Sequence, residues 1–127
     1  MPNPISLRIA GSGIQLPALR RDNAWFDQRL GQPSGWTARH CGIASRPLAG
    51  PQDTSASLAA GAITQALATA GWAADGFDVL ISACGVGQQA LPCSAALIHR
   101  QLGLSQSGIA AFDINAGDLT ILHQIDA

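Results

Sequence analysis

The feature of the sequence that most constrains the fold is a continuous apolar run of strand length, Phe77–Cys84 (FDVLISAC). A segment of this length that is so rich in apolar residues is typical of a strand covered on both faces, as in a parallel sheet. A second such run, Ile109–Ile114, follows a helical segment that has Pro92 in its predicted first turn and closes at Leu102-Gly103. Two buried strands joined by a helix predict a parallel pair within a layered α/β fold.

Further elements are predicted on the N-terminal side of this pair. Residues 56–70 are rich in alanine and predict a helix that ends at Gly71 and packs closely against its neighbours. Ile5–Ile14 alternates in part and predicts a strand that ends in a tight turn. The remaining predictions are a short helix over Asp22–Leu30 capped by Asp22, irregular chain over 36–52, and a last helix over 118–127.

Composition excludes several classes of function. The net charge of −1 over 127 residues gives no electrostatic basis for binding nucleic acid or an anionic membrane. All seven basic residues are arginine, so a lysine Schiff base and a P-loop lysine are both excluded. No apolar stretch reaches the roughly 18 residues that span a bilayer, and the N-terminus does not resemble a signal peptide. We therefore expect a cytoplasmic protein with neither a membrane nor a nucleic-acid partner.

The histidines and cysteines do not indicate a metal site or a disulfide framework. None of the three histidines has a histidine partner four residues away, as a helical metal site often requires. Cys41, Cys84 and Cys93 are odd in number and widely spaced. Cys93 precedes a predicted helix, whose dipole would favour a thiolate. Packing in the interior is nevertheless the preferred interpretation of Cys84 and Cys93, because free cysteine is among the most buried residue types.

Two glycine-containing turns raise the possibility of a nucleotide site. The turns at Gly11–Gly13 and Gly85–Gly87 each follow a predicted strand, and Asp113 closes the next strand, where an acid could hold a ribose. However, Pro17 and Pro92 interrupt the helix starts on which a pyrophosphate would rest. Tight turns are therefore the preferred interpretation of these glycines.

Five segments, taken in order, resemble one family. They are ISLRIAGSGIQLP, SGWTARHCGIASR, DTSASLAAGAITQALATAGW, FDVLISACGVGQQALPCSAALIHRQLGL and IAAFDINAGDLTIL. Their motifs and spacing resemble those of the condensing enzymes of the thiolase superfamily, and among these most closely β-ketoacyl-acyl-carrier-protein synthase III. The last segment resembles the family's strand leading into Asn-Ala-Thr-Cys, where the nucleophilic cysteine lies.

This resemblance implies a fold, an activity and partners. The expected fold class is α/β and thiolase-like: one α/β/α layered half with a mostly parallel mixed sheet, so that residues 1–127 would form the N-terminal half-domain without the C-terminal half. Family members move an acyl group from coenzyme A to cysteine and condense it with a malonyl thioester. The expected substrates and partners are thus acyl-coenzyme A, acyl carrier protein and a second subunit in a homo- or hetero-dimer, with no tightly bound cofactor.

The resemblance also assigns two site residues and shows where this chain departs from the family. Trp36 matches the tryptophan that stacks on the adenine of coenzyme A, with a half-buried packing role as the alternative. His40 and Cys41 stand where an arginine and a threonine are usual, whereas Arg46 keeps the family's arginine. Asp118 stands at the position of the cysteine nucleophile. An acyl-aspartate is a mixed anhydride that water attacks, so we predict that this chain does not form the family's acyl-enzyme at Asp118.

Three functions are compatible with the sequence. The first is a synthase III-like acyltransferase that is inactive as this chain. The second is a non-catalytic partner subunit of an active ketosynthase. The third is a small nucleotide-binding α/β domain that uses the loop at Gly85.

Overall fold

A computed structural model describes residues 6–126 of the chain. The chain divides into two compact units. The small unit is Leu16–Thr54, and the large unit combines Met1–Gln15 with Ser55–Ala127. Each unit is described in turn below.

The small unit contains an antiparallel pair of strands and two short helices. Strand β1 (Arg20–Asp22) pairs with β2 (Ser45–Pro47), and helices α1 (Asn23–Arg29) and α2 (Trp36–Cys41) lie between them in the chain. The carboxylate of Asp22 accepts a hydrogen bond from the backbone N–H of Trp25 at 2.9 Å. This contact confirms both the predicted short helix and its cap.

The prediction of irregular chain over 36–52 is wrong, because α2 and β2 both lie within it. Gly35 and Gly42 flank α2 with φ values of 80° and 65°. Both lie in the left-handed region that glycine adopts without a steric penalty. The glycines therefore set both ends of a helix whose own six residues carry little helical periodicity.

The large unit contains a parallel strand pair and three helices. Helix α3 (Ser55–Ala70) precedes strand β3 (Val79–Ser82) in the chain. Helix α4 (Ser94–Gln101) then leads to β4 (Ala110–Asp113), which pairs with β3 in parallel. A 3₁₀ turn (Gly117–Leu119) follows, and helix α5 (Thr120–Asp126) begins directly after it. The sequence correctly predicted the parallel pair joined by a helix.

The core of the large unit lies on one face of the strand pair. Its members are small or branched apolar residues from α3, β3 and α4: Ala56, Leu80, Ala95, Leu97 and Ile98. On the opposite face, Val79 is 47% exposed and Phe112 is 41% exposed. The expectation that the strands are covered on both faces is therefore wrong for the described residues. Helix α5 contacts β3 through the side-chain amide of Gln124, which donates to the carbonyl of Ile81 at 3.5 Å.

The predicted strand at Ile5–Ile14 is not present over residues 6–14, and Ile5 lies outside the described residues. This segment instead lies against α3. An added Cβ on Gly13 would lie 2.1 Å from the carbonyl oxygen of Ala62. The backbone N–H of Ile14 donates to the side chain of Gln65 rather than to a neighbouring strand. Close packing on the alanine-rich helix thus takes the place of sheet pairing.

Several predicted boundaries need small corrections. One boundary is confirmed, because α3 ends directly before Gly71, and Gly71 has a φ of 71°. Pro92 lies outside α4, because Cys93 is the N-cap and the helix begins at Ser94. The last helix begins at Thr120 rather than at Asp118, which belongs to the preceding 3₁₀ turn. Among the described residues, no helix has both the length and the hydropathy needed to cross a membrane.

Candidate functional site

The turn that carries Asp118 is anchored to the carboxyl ends of the parallel strands. The backbone N–H of Ile114 donates to the carbonyl of Ser82 at 2.9 Å, which extends the strand ladder by one bond. The side-chain oxygen of Asn115 accepts a hydrogen bond from the backbone N–H of Cys84, also at 2.9 Å. These two bonds fix the start of the turn relative to β3.

The hydroxyl group of Thr120 closes the same turn from its other end. It accepts a hydrogen bond from the backbone N–H of Ala116 at 2.8 Å and donates to the carbonyl of Gly117 at 2.7 Å. Gly117 has a φ of 56°, in the left-handed region. Residues 115–120 therefore form a hydrogen-bonded turn, which we call the 118 turn.

The carboxylate of Asp118 takes no part in these bonds. Asp118 is exposed, and its carboxylate makes no hydrogen bond or ion pair within residues 6–126. It precedes α5, but it lies in a single 3₁₀ turn and not in the first turn of that helix. The 118 turn thus presents a free carboxylate beyond the carboxyl ends of β3 and β4.

The two cysteines of the large unit both contact protein groups. Cys93 is half-buried and packs against the core cluster. The thiol of Cys84 donates to the carbonyl of Val86 at 2.9 Å. All three cysteines of the chain are free. The packing interpretation of Cys93 agrees with these contacts.

Asp113 has a structural partner at the start of α4. Its carboxylate accepts hydrogen bonds from the backbone N–H groups of Ser94 and Ala95 at 2.9 and 2.7 Å. Burial alone would raise the pKa of Asp113, but these N–H donors outweigh it and hold the pKa below the ordinary value. The N–H groups on which a pyrophosphate would rest at α4 are thus occupied by a carboxylate of the chain itself.

The small unit contains a cavity of about 400 Å³. We call it the Trp36 pocket. Its walls combine an aliphatic side chain, three aromatic side chains, a hydroxyl, a thiol and a guanidinium: Phe26, Leu30, Trp36, Thr37, His40, Cys41 and Arg46. Trp36 itself is half-buried. The structure therefore groups Trp36 with each of the three residues that mark the resemblance or depart from it.

Within this pocket, His40 covers part of Trp36. The imidazole and indole rings are stacked, with centroids 4.1 Å apart and an interplanar angle of 24°. The Nδ1 atom of His40 is also 2.8 Å from the carbonyl oxygen of Trp36. Because a carbonyl only accepts, Nδ1 carries the proton and donates it.

Arg46 is the cation of the pocket. Its guanidinium donates to the thiol sulfur of Cys41 at 3.4 Å and lies 5.5 Å from the ring centroid of Phe26. In the described part of the chain, no carboxylate forms an ion pair with it. The positive charge of Arg46 is therefore available to an anionic group in the pocket.

Asp27 holds Thr37, one of the residues that line the pocket, and was not identified from the sequence. It is only 3% exposed, although it is charged. Its carboxylate accepts hydrogen bonds from the hydroxyl and the backbone N–H of Thr37, and from the backbone N–H of Gly35 at 2.7 Å. The Thr37 hydroxyl, together with these N–H groups, lowers the pKa of Asp27 despite its burial. One sequence signal was present, an acid directly after Trp25-Phe26 in an otherwise amphipathic helix, but its partners lie at the start of α2.

The two predicted site residues belong to different units. Trp36 lies in the small unit and Asp118 in the large unit. Through the family resemblance, sequence reasoning singled out four of the seven residues that line the Trp36 pocket, namely Trp36, His40, Cys41 and Arg46. It did not identify Asp27, Asn115 or Thr120, whose roles depend on contacts across turns.

Comparison with known proteins identifies relatives by sequence. The chain is 37% identical over 100 residues to a 3-oxopimeloyl-[acyl-carrier-protein] synthase of Rhodothermus marinus, with 79% of this chain and 29% of that protein covered. It is 31% identical over 109 residues to a β-ketoacyl-[acyl-carrier-protein] synthase III of Neisseria meningitidis, with 86% and 34% covered. The chain thus spans about a third of the length of these curated relatives. No protein-family model matches it.

Solved structures give the same result for the fold. The 3-oxoacyl-[acyl-carrier-protein] synthase III of Aquifex aeolicus superposes with a TM-score of 0.80 at 29% identity, over 94% of this chain and 38% of that one. The enzyme of the same type from Thermus thermophilus gives a TM-score of 0.81 at 26% identity, over 94% and 36%. These matches confirm the predicted thiolase-like α/β fold class. Together with the sequence matches, they show that the chain belongs to the β-ketoacyl-[acyl-carrier-protein] synthase III-like condensing enzymes of the thiolase superfamily.

Proposed function

We propose that this chain is part of a β-ketoacyl-[acyl-carrier-protein] synthase III-like acyltransferase and that it does not itself carry the acyl group. The observation that carries this proposal is the free, exposed carboxylate of Asp118 in the 118 turn. This turn lies beyond the carboxyl ends of parallel strands, where α/β proteins commonly place ligands. Residues 1–127 would then form the N-terminal half-domain, and condensation would need groups outside this stretch.

The chemistry of a carboxylate explains why the acyl group would not remain on Asp118. Attack of the carboxylate on a thioester forms a mixed anhydride and releases a thiolate. Water hydrolyses an anhydride readily, and an exposed position gives water direct access. The negative charge would also oppose the carboxylate of an incoming malonyl group. A thiol in the same turn would have neither disadvantage.

Coenzyme A thioesters are the proposed substrates, and the Trp36 pocket is their proposed binding site. An indole face can stack on a purine, and the guanidinium of Arg46, which has no carboxylate partner within residues 6–126, can bind a phosphate. No tightly bound cofactor is required. The acyl carrier protein that appears in the names of these relatives is the proposed acceptor partner. The three free cysteines are compatible with a reducing, cytoplasmic location.

Incubation with a radiolabelled acyl-coenzyme A, followed by peptide mass mapping, tests this proposal. The wild-type chain should show no stable adduct on the peptide that contains residue 118. The Asp118→Cys variant should acquire the acyl mass there, because the 118 turn is held by Asn115 and Thr120 and not by residue 118. Asp118→Asn serves as the isosteric control and should remain unlabelled. A stable acyl adduct on wild-type Asp118 contradicts the proposal.

A second function, that of a non-catalytic partner subunit, is supported by the surface of α5. Four apolar residues of the 3₁₀ turn and α5 are each more than half exposed: Leu119, Ile121, Leu122 and Ile125. Exposed apolar patches of this kind mark interaction surfaces. Stoichiometric co-purification with an active condensing enzyme from the native host would favour this function over the first.

A further inference from the structure

The ring of His40 is stacked on the indole face on which the purine of a ligand would stack. The expectation of such a ligand rests on the proposed coenzyme A function. The ring centroids are 4.1 Å apart and the planes are nearly parallel. A purine that stacks on the same indole face requires a separation of similar size. The imidazole and a purine therefore cannot occupy this face together.

His40 is also held in this position by α2 itself. Its Nδ1–H donates to the carbonyl of Trp36, one helical turn earlier, at 2.8 Å. The stack and this hydrogen bond are both local to one six-residue helix. Because His40 is exposed, a rotation of its side chain can break both contacts without disturbing the packed interior.

We propose that His40 is a specificity-determining residue of the Trp36 pocket. In the free protein its imidazole occupies one face of Trp36, and it must move away before the purine of a nucleotide stacks there. The nucleotide is one that carries phosphate, because Arg46 has no carboxylate partner in the described residues. Binding is thus an exchange of an internal stack for an external one. The free energy of the stack between His40 and Trp36 therefore makes the binding free energy of the nucleotide less favourable by the same amount.

The expected size of the effect follows from the strength of aromatic stacking. An aromatic pair contributes about 0.5–1.5 kcal/mol, which corresponds to about two- to twelvefold in a dissociation constant. His40→Ala removes both the stack and the competing hydrogen bond. It should therefore increase the affinity of the pocket for a purine nucleotide by about this factor.

Isothermal titration calorimetry on the 127-residue chain tests the inference, with adenosine 3′,5′-bisphosphate and coenzyme A as probes. His40→Ala should bind both probes more tightly than wild type. His40→Phe retains a ring at this position without the hydrogen bond and should not gain affinity to the same extent. His99→Ala, in the other unit, is the matched control and should leave the affinity unchanged. Circular dichroism verifies that each variant is folded.

The outcomes separate the inference from the function on which it rests. If wild type binds the probes and His40→Ala binds them equally or more weakly, then His40 does not compete for Trp36 and the inference is overturned. If neither wild type nor any variant binds either probe, the proposed coenzyme A site is itself wrong, and the inference is overturned with it. If His40→Ala binds the probes more tightly than wild type while His99→Ala does not, the result supports both the inference and the proposed coenzyme A site.

Discussion

The carboxylate of Asp113 accepts a hydrogen bond from the backbone N–H of Ala95 at 2.7 Å, so the last residue of β4 holds the first turn of α4. The two residues are 18 positions apart in the chain. A negative charge at a helix N-terminus is favourable because it meets the positive end of the helix dipole and free N–H groups. This one contact therefore joins the helix to the strand that follows it.

The first prediction concerns acid stability. The folded-state pKa of Asp113 lies below its ordinary value. The charged carboxylate therefore contributes to the free energy of unfolding, and this contribution is fully present above the unfolded pKa of about 3.9. The contribution is lost as the pH falls through the lower, folded pKa. Asp113→Asn should therefore lower stability at neutral pH by about 1 kcal/mol, as for loss of a helix cap. It should also flatten the decline in stability at acid pH.

Urea denaturation followed by circular dichroism across pH 2 to 7, roughly the interval over which carboxylates titrate, measures this effect. Asp75→Asn is a suitable control, since Asp75 is exposed. If the two variants show the same pH dependence, the contact between Asp113 and α4 does not contribute as described.

The second prediction concerns the support of the Trp36 pocket. Asp27→Ala removes the acceptor shared by Gly35 and Thr37, and the start of α2 then has unpaired N–H groups in a buried site. Hydrogen exchange at the Thr37 amide should become much faster. The variant should also melt at a lower temperature. Unchanged protection of the Thr37 amide would be inconsistent with the observed contacts.

The third prediction concerns the packing of the N-terminal segment on α3. An added Cβ on Gly13 would lie 2.1 Å from the carbonyl oxygen of Ala62, which is a backbone atom and cannot rotate away. Gly13→Ala should therefore destabilise the large unit by about 1–3 kcal/mol, as overpacking does. Gly85→Ala is the matched control, because nothing lies within 4 Å of an added Cβ there. Thermal unfolding of both variants distinguishes this steric effect from a general effect of alanine on backbone entropy.

The fourth prediction concerns self-association. The exposed apolar residues of α5 form a surface that water solvates poorly, so the isolated chain should form dimers or larger species. Ile121→Lys should reduce this association, and Gln106→Lys adds the same charge on an exposed loop elsewhere. Sedimentation velocity at several concentrations gives the result. A wild-type chain that remains monomeric at high concentration would show that this surface does not drive association.

The sequence predicted the elements whose signals are local. Helix α3 was recognised from its alanines and from Gly71, and α1 from the cap at Asp22. The apolar runs around β3 and β4 correctly indicated a parallel pair. These signals are sufficient because caps and apolar runs depend on neighbours in the chain.

The errors arose where the outcome depended on distant partners. The segment 6–14 has the composition of a strand, but Gly11 and Gly13 allow it to lie directly on α3. Helix α2 has weak periodicity and depends on Asp27, which comes from another helix. The burial of both strand faces was inferred from apolar residues alone, yet residues 6–126 do not cover the face with Val79 and Phe112. For the candidate site, the resemblance located Asp118, whereas the bonds of Asn115 and Thr120 became visible only in the structure.

The 118 turn has a consequence for how such a chain can change over evolutionary time. Its shape depends on the amide of Asn115, the hydroxyl of Thr120 and the left-handed backbone of Gly117, and none of these involves the side chain at 118. A substitution at that position can therefore alter the chemistry without a penalty in folding. Selection for a stable protein would leave the residue at position 118 free to vary.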